Sequence, residues 1–149
     1  MAKVRLASRP DLSLVDAGGK MCCAIFFQGC SIHCKNCHNP ELWDFSGGYE
    51  TTTEEIVRYI EERKDWFQAV AIMGGEPLDQ QRACLELLVA LKKLNIEIWL
   101  YTGYRAGEFL TIFMDFCDVV VAGPYEEDLR TGSFPASSNQ IVIDRRRPM

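Results

Sequence analysis

The sequence predicts an α/β protein whose mostly parallel strands form an open, partial (βα) barrel. Short continuous apolar runs alternate with segments of helical periodicity, which is the pattern of successive β–α units around a buried parallel sheet. The chain has 149 residues, whereas a complete eightfold barrel typically needs about 250. It therefore has room for only about four or five strands, too few to close a barrel.

Four apolar runs are predicted to be the buried strands, and a last short strand is predicted near the carboxyl terminus. Ligands of parallel α/β sheets bind beyond the carboxyl ends of the strands. The loops that follow the four runs, beginning at Gly29, Gly74, Thr102 and Gly123, are therefore expected to share one site. The five runs are 21–28 (MCCAIFFQ), 69–73 (AVAIM), 96–101 (IEIWLY), 117–122 (CDVVVA) and 140–143 (QIVI).

Three helices are predicted between these strands. The first follows residues 51–53, three threonines that with Glu54 and Glu55 resemble a capping box. Asp79 is predicted to cap the second helix, whose apolar face includes leucines at 85, 88 and 91. The third helix is predicted over 105–115.

Residues 1–149 are predicted to form a single domain, with a short extension at 1–15 and a basic tail at 145–149 that frays. The chain is 48% hydrophobic and 25% charged, an ordinary globular balance that argues against disorder. Its net charge of −5 argues against a nucleic-acid partner. No apolar run approaches the ~18 residues of a membrane span, and no signal peptide is evident, so we expect a cytoplasmic protein without membrane partners.

The chain has seven cysteines, an odd number that in a reducing compartment indicates metal or redox chemistry rather than disulfides. Cys30, Cys34 and Cys37 follow the first strand with the spacing Cys-x₃-Cys-x₂-Cys. Three thiolates on such a short loop can bind three corners of an iron–sulfur cluster, whose usual number of cysteine ligands is four. One iron is then open to an external ligand. The other four cysteines, Cys22, Cys23, Cys84 and Cys117, are predicted to be small core residues.

Zinc is the alternative occupant of this loop, and cysteines unconnected to a metal are another. Cys22 or Cys23 would be the fourth zinc ligand, and the two histidines of the chain, His33 and His38, flank the loop. The usual zinc signatures, two Cys-x₂-Cys pairs or one such pair with two histidines, are missing from the sequence. A zinc-binding interaction module without catalysis is the corresponding functional alternative.

The cysteine loop together with Gly74-Gly75-Glu76-Pro77 after the second strand resembles the radical S-adenosylmethionine superfamily. Within it, residues 29–30 and 37–43 (CHNPELW), 99–104 (WLYTGY) and 137–140 (SSNQ) resemble the activating proteins of anaerobic (class III) ribonucleoside-triphosphate reductases. The resemblance extends from Asp16 to Ile143. One departure is Asn36, at a position where many superfamily members carry an aromatic residue.

This resemblance implies a 4Fe-4S cluster held by the three cysteines and S-adenosylmethionine bound to the open iron. It implies reductive cleavage of S-adenosylmethionine to a 5′-deoxyadenosyl radical, which takes hydrogen from a glycine of the reductase catalytic subunit. It also implies a reduced flavodoxin or ferredoxin-type electron donor. The cofactors perform the chemistry, so we expect no catalytic residue beyond their ligands. The enzyme alternative is the same chemistry on another glycyl radical enzyme or on a small molecule.

The resemblance further implies which residues contact S-adenosylmethionine. Gly74, Gly75 and Glu76 would line its methionine end, although Glu76 has an equally good role in fixing the loop by hydrogen bonds to the backbone. Asn36, Cys37 and His38 would lie near the adenine, with a solvated loop histidine as the alternative for His38. Tyr101 and Thr102 end a strand on the site face, with core packing and a turn as their alternative roles. The glycine-rich loop is the feature that a zinc module would not need.

Overall fold

The computed structural model describes residues 2–37 and 39–146, and these residues contain a mixed sheet flanked by helices. The helices are α1 (Thr53–Glu62), α2 (Gln81–Lys92) and α3 (Glu108–Met114). The strands are β1 (Lys3–Leu6), β2 (Asp11–Ser13), β3 (Cys22–Phe27), β4 (Tyr49–Thr52), β5 (Ala69–Gly74), β6 (Glu97–Thr102), β7 (Val119–Ala122) and β8 (Ile141–Asp144).

The sheet has a parallel centre and antiparallel margins. Its strand order is β4-β1-β3-β5-β6-β7-β8, with β2 paired to β3 beside this path. The four central strands, β3, β5, β6 and β7, run parallel to one another, and the remaining strands, β1, β2, β4 and β8, pair antiparallel with their neighbours. The sheet has β4 at one edge and β8 at the other, and these edges do not pair to close a barrel. The predicted open, mostly parallel partial barrel is therefore confirmed, with more strands than the sequence indicated.

The additional strands come mainly from the segment 1–15, which was expected to be a short extension and instead joins the sheet. Val4 and Leu6 of β1 are almost completely buried, while the side chain of Lys3 is exposed. This alternation is typical of a strand with one face on the core. β1 pairs along its whole length with β4, which the sequence analysis had not predicted.

Local capping explains where the helices begin. The Thr52 hydroxyl accepts a hydrogen bond from the Glu55 backbone N–H at 3.2 Å, which confirms the N-cap half of the predicted capping box at the start of α1. The Glu55 carboxylate accepts from the Thr51 hydroxyl at 2.6 Å. The prediction that Asp79 caps α2 is wrong. Pro77 starts a 3₁₀ turn over Pro77–Gln80, and α2 begins only at Gln81, which leaves Asp79 free to accept bonds from other loops.

The two faces of the sheet differ in the size of their side chains. On one face, large aliphatic residues of the strands pack against α1 and α2 and form the main core. The opposite face carries a smaller cluster that includes Ala69, Ala71 and Trp99. The prediction that the four cysteines outside the loop are core residues is confirmed, because Cys22 belongs to the smaller cluster and Cys23, Cys84 and Cys117 belong to the main core.

The end of the chain is attached to the sheet as far as residue 146. The Arg145 guanidinium donates to the Met114 carbonyl at 2.7 Å, and Arg146 forms an ion pair with Asp144 at 2.7 Å. The fraying expected of this tail stays a prediction, and residues 147–149 lie outside the described part of the chain. None of the helices in the described ranges is long and apolar enough to cross a membrane.

Candidate functional site

A cavity lies beyond the carboxyl ends of the four parallel strands, where the sequence predicted a shared site. It brings together residues from four loops that are far apart in the sequence. Of the predicted site residues, the structure places the three loop cysteines, both glycines, Glu76, Tyr101 and Thr102 in its lining. The lining residues are Cys30, Ile32, Cys34, Cys37, Trp43, Met73, Gly74, Gly75, Glu76, Tyr101, Thr102, Gly103, Val121, Gly123, Tyr125 and Gln140.

The cysteine loop is folded so that its sulfur atoms receive backbone hydrogen bonds. The N–H groups of Ile32 and His33 donate to the Cys30 sulfur, and the Asn39 N–H donates to the Cys37 sulfur at 3.4 Å. Burial raises the pKa of the Cys30 thiol, and these N–H groups partly offset the effect. Backbone N–H groups directed at sulfur favour the thiolate, which is the form that binds iron.

Burial also raises the pKa of the Cys34 thiol, against a hydrogen bond from the Tyr125 backbone N–H that lowers it. Tyr125 belongs to the loop after β7, so this bond joins the cysteine loop to the loop that follows β7. The loop turns through left-handed backbone conformations at His33 (φ 52°) and Asn36 (φ 57°). Histidine and asparagine are among the non-glycine residues that most readily adopt this region.

The donor set of this cavity fits an iron–sulfur cluster with one open position. Three cysteines line it. Cys22 and Cys23 are the first two residues of β3 and lie at the end of that strand away from the cavity, and a strand rises about 3.3 Å per residue. Neither can reach the loop as a fourth ligand, so the zinc site proposed with them is wrong. Within residues 2–37 and 39–146, no three His, Cys, Asp or Glu side chains are placed so that they could hold a single metal ion between them.

The glycine pair brings the loop after β5 against the end of β3. The Gly75 N–H donates to the Phe27 carbonyl at 2.8 Å, and the Glu76 N–H donates to the Gly29 carbonyl at 2.7 Å. A Cβ atom on Gly75 would lie 2.3 Å from the Gly29 oxygen. Gly74 has φ 120°, a conformation that side chains disfavour. The two glycines thus allow close approach of two backbones at the rim of the cavity.

Glu76 is a buried carboxylate that holds the loop after β5 against the end of β6. Only 1% of the residue is exposed. One oxygen accepts from the Thr102 hydroxyl at 2.6 Å and the Leu78 N–H at 3.0 Å, and the other accepts from the Gly103 N–H at 2.7 Å. Burial raises the pKa of Glu76 to about 7, although the three hydrogen bonds act in the opposite direction. The structure thus shows the loop-fixing role, and its contact with S-adenosylmethionine stays a prediction.

The other predicted cofactor contacts occupy different positions around the cavity. The Tyr101 hydroxyl donates to the Asp16 carbonyl at 2.7 Å, which leaves the ring as the part of Tyr101 that faces the cavity. Asn36 is not among the lining residues and lies in an adjacent depression with Lys35 and the acidic residues 126–128. His38 lies outside the residues that the structure describes. The roles of all these residues toward S-adenosylmethionine stay predictions.

Asp79 joins the cysteine loop to the loops after β5 and β6. One carboxylate oxygen accepts from the Ser31 backbone N–H at 2.8 Å, and the other accepts from the Tyr104 hydroxyl. Ser31 directly follows Cys30. Asp79 therefore limits the movement of the first cysteine, which is a positioning role that sequence analysis had missed.

Several lining residues were not predicted as site residues, and Trp43 is the largest of them. The sequence analysis recognised it only as part of the family resemblance. Gln140 was likewise quoted only within the Ser-Ser-Asn-Gln stretch, and its side chain donates to the Gly123 carbonyl at 3.1 Å. Ser137 in the same stretch is fully buried and accepts from the Glu126 N–H at 3.2 Å, which is a structural role. The expectation that ligands bind beyond the carboxyl ends of parallel strands pointed to Gly123, but not to Tyr125 two residues further on.

Comparison with known proteins supports this interpretation of the cavity. Residues 15–143 match the 4Fe-4S single cluster domain family. The chain is 34% identical over 114 residues to a pyruvate formate-lyase-activating enzyme of Clostridium pasteurianum, covering 73% of this chain and 48% of that protein. It is 29% identical over 133 residues to the anaerobic ribonucleoside-triphosphate reductase-activating protein of Escherichia coli, covering 80% of this chain and 86% of that protein.

A solved structure shows the same fold. QueE from Escherichia coli superposes with a TM-score of 0.55 at 17% identity, over 68% of this chain and 52% of QueE. The chain thus spans about half the length of the pyruvate formate-lyase-activating enzyme and most of the reductase-activating protein. These similarities confirm the predicted cofactors, a 4Fe-4S cluster and S-adenosylmethionine. They contradict the alternative of a zinc-binding interaction module.

Proposed function

The chain belongs to the 4Fe-4S single cluster domain family, and from this premise we propose that it is an activating enzyme for a glycyl radical enzyme. The observation that carries the proposal is the cavity in which the cysteines of the Cys-x₃-Cys-x₂-Cys loop meet the glycine pair after β5 and the end of β6. The confirmed resemblance to the radical S-adenosylmethionine superfamily supports an enzyme of this kind.

The residues of the cavity divide into ligands, loop supports and walls. When bound, the cluster and S-adenosylmethionine supply a one-electron reductive cleavage that generates a hydrogen-abstracting 5′-deoxyadenosyl radical. Cys30, Cys34 and Cys37 hold the cluster as thiolates, and their backbone N–H partners stabilise the negative charge on sulfur. The apolar side chains of Met73 and Val121 line the cavity and limit the access of water.

The loops around the ligands keep the reacting groups in place. Glu76 links the loop of the glycine pair to Thr102 and Gly103, so the predicted methionine-end contacts are held against the end of β6. The ring of Tyr101 forms part of the wall, and its hydroxyl is held by the Asp16 carbonyl. Fixed positions of this kind favour reaction with the intended substrate over side reactions.

We further propose that the substrate is a glycine of the catalytic subunit of an anaerobic ribonucleotide reductase. Support comes from the extent of the match, since the chain covers 86% of the reductase-activating protein of Escherichia coli. The stretches 99–104 and 137–140 also resemble this branch. The electron donor is expected to be a reduced flavodoxin or ferredoxin-type protein, and the cytoplasm is the expected location.

Activation of a pyruvate formate-lyase is the second candidate function, and a specific observation favours it. The identity to the pyruvate formate-lyase-activating enzyme is 34%, compared with 29% for the reductase-activating protein. The match covers only 48% of the former, however. We therefore place the reductase first.

Electron paramagnetic resonance of the substrate protein tests both candidates. The reconstituted chain, dithionite and S-adenosylmethionine are incubated anaerobically with the reductase catalytic subunit, or with pyruvate formate-lyase, and the spectrum of a glycyl radical is recorded. A radical on the reductase supports the proposal, and a radical only on pyruvate formate-lyase transfers it to the second candidate. Cys34→Ala is the control and should give neither radical. Formation of 5′-deoxyadenosine without a radical on either protein would contradict both candidates.

A further inference from the structure

The stretch 137–140 (SSNQ) binds the backbone of the loop that follows β7. The Asn139 Nδ2 donates a hydrogen bond to the Pro124 carbonyl at 2.8 Å. The Gln140 Nε2 donates to the Gly123 carbonyl at 3.1 Å. These two amide side chains therefore fix the orientation of two consecutive peptide groups beside the cavity, which Gly123 and Gln140 also line.

The same stretch holds the peptide group on the other side of Tyr125. The Glu126 N–H donates to the Ser137 Oγ at 3.2 Å. Because Ser137 is completely buried, this contact has a fixed place in the fold. The peptide groups before and after Tyr125 are thus both bound by side chains of one short stretch.

The backbone N–H of Tyr125 faces the cysteine loop. It donates a hydrogen bond to the Cys34 sulfur, and both residues line the cavity. This N–H and the Pro124 carbonyl belong to one peptide group. A peptide group is planar and almost always trans, so its C=O and its N–H point in opposite directions. The bond from Asn139 to the Pro124 carbonyl therefore also fixes the direction of the Tyr125 N–H.

We propose that Asn139 is a positioning residue that acts through the Pro124–Tyr125 peptide group and keeps a hydrogen bond on the Cys34 ligand of the 4Fe-4S cluster. A hydrogen bond to the carbonyl of a peptide group polarises the group and strengthens its N–H as a donor. The proposal gives the stretch 137–140 a role toward the cluster. It rests on the proposed cluster ligands and does not depend on which protein is the substrate.

The proposal has a defined electrostatic consequence. Reduction adds negative charge to the cluster, and hydrogen bonds to the sulfur atoms are among the determinants of the reduction potential. A donor on the Cys34 sulfur stabilises the reduced form more than the oxidised form, so weakening this bond should lower the potential. We expect a shift of up to about tenfold in the equilibrium between the two forms, which for one electron corresponds to about 59 mV.

The first test compares the reduction potentials of anaerobically reconstituted wild-type protein and Asn139→Leu, which has a side chain of similar size and no charge but lacks the amide donor. Potentials are measured without S-adenosylmethionine, so that contacts with this cofactor cannot cause a shift. Ser138→Ala is the matched control, because this neighbouring side chain is exposed and makes no hydrogen bond to the loop after β7 in the described part of the chain. A lower potential in Asn139→Leu alone supports the proposal. Equal potentials in all three proteins, or an equal decrease in both variants, would overturn it.

Pulsed electron paramagnetic resonance of the reduced cluster identifies the donor in protein labelled with ¹⁵N at tyrosine. Tyr125→Phe keeps the backbone N–H but leaves it unlabelled, so a ¹⁵N coupling of the wild type should disappear in this variant. The same coupling should be weaker in labelled Asn139→Leu, whereas a merely structural role of Asn139 would leave it unchanged. A full set of couplings in Tyr125→Phe, or an unchanged coupling in Asn139→Leu, would contradict the proposal.

A second variant keeps the test decisive if Asn139→Leu fails to retain the cluster. The α-hydroxy acid analogue of tyrosine, incorporated at position 125, replaces the backbone N–H by oxygen and leaves the side chains of Tyr125 and Asn139 in place. A potential lower than that of the wild type supports the hydrogen bond to Cys34. An unchanged potential would overturn it, and since the cluster is present in this protein, the result would leave the proposed activity standing.

Discussion

Replacing Glu76 with glutamine is expected to change the pH dependence of stability, because Glu76 is a buried carboxylate with a raised pKa. Burial moves this pKa from its usual value of 4.5 to about 7. The folded protein therefore binds a proton more tightly at Glu76 than the unfolded chain does. The stabilisation by the protonated form is fully present below pH 4.5 and is lost as the pH rises to about 7.

The magnitude follows from the shift and from the three hydrogen bonds. A change from 4.5 to about 7 corresponds to about 3 kcal/mol of unfolding free energy lost by the wild type between low and high pH. Glutamine does not titrate. Its side-chain NH₂ group is a donor, however, and it would face at least one of the three groups that now donate to Glu76, namely Leu78 N–H, Thr102 O–H and Gly103 N–H. This conflict costs about 1 kcal/mol. We therefore expect Glu76→Gln to be less stable than wild type by about 1 kcal/mol at pH 4, close to wild type at pH 5, and more stable by about 2 kcal/mol at pH 8.

Urea denaturation of the cluster-free chain, followed by circular dichroism at pH 4, 5, 6, 7 and 8, measures this reversal. The control is Glu61→Gln, which removes a carboxylate at an exposed position and should change the unfolding free energy by no more than about 0.5 kcal/mol. A difference between wild type and Glu76→Gln that stays constant from pH 5 to pH 8 would refute the reasoning, because it would mean that Glu76 does not titrate in this range.

Three further changes test the positions of other residues. Asp79→Ala removes the acceptor that holds the loop next to Cys30, so the reconstituted cluster should lose iron to a chelator several-fold faster, as followed by visible absorbance; an unchanged rate would contradict the positioning role. Gly75→Ala forces a Cβ to 2.3 Å from a backbone oxygen and should destabilise the chain by about 1–3 kcal/mol or more in urea, whereas Gly107→Ala, with no atom within 4 Å, should not show this steric loss. Cys84→Ala should retain iron while lowering the unfolding free energy by about 1 kcal/mol, unlike Cys30→Ala, which should lose the cluster; iron loss in the former would contradict the division of the cysteines.

The parallel centre of the fold was predictable because its strands are continuous apolar runs. β5 and β7 are buried along almost their whole length, and such strands are recognisable without knowledge of their neighbours. The margins were missed for the opposite reason. β4 (Tyr49–Thr52) is polar and partly exposed, and β2 has only three residues. Their strand conformation depends on pairing with β1 and β3, which the local sequence does not reveal.

The same distinction applies to the candidate site. The three cysteines and the glycine pair were found because their spacing and their place at strand ends carry the signal. Asp79 was assigned to a helix cap because its true partner, the Ser31 N–H, is 48 residues away in the sequence. Trp43 was recognised as a family feature, but its unpartnered Nε1 is visible only in the packed structure. Contacts between loops of different strands are a tertiary property that a single sequence does not encode in any short pattern.

The central claim is that the cavity formed by these loops binds a 4Fe-4S cluster that cleaves S-adenosylmethionine. The most direct measurement is the 5′-deoxyadenosine formed by anaerobically reconstituted, dithionite-reduced protein, with the iron and sulfide content determined on the same sample. The account predicts about four irons per chain, formation of 5′-deoxyadenosine by wild type, and loss of both in Cys34→Ala. Protein that carries a full cluster and leaves S-adenosylmethionine intact, or that binds zinc without iron, would contradict it.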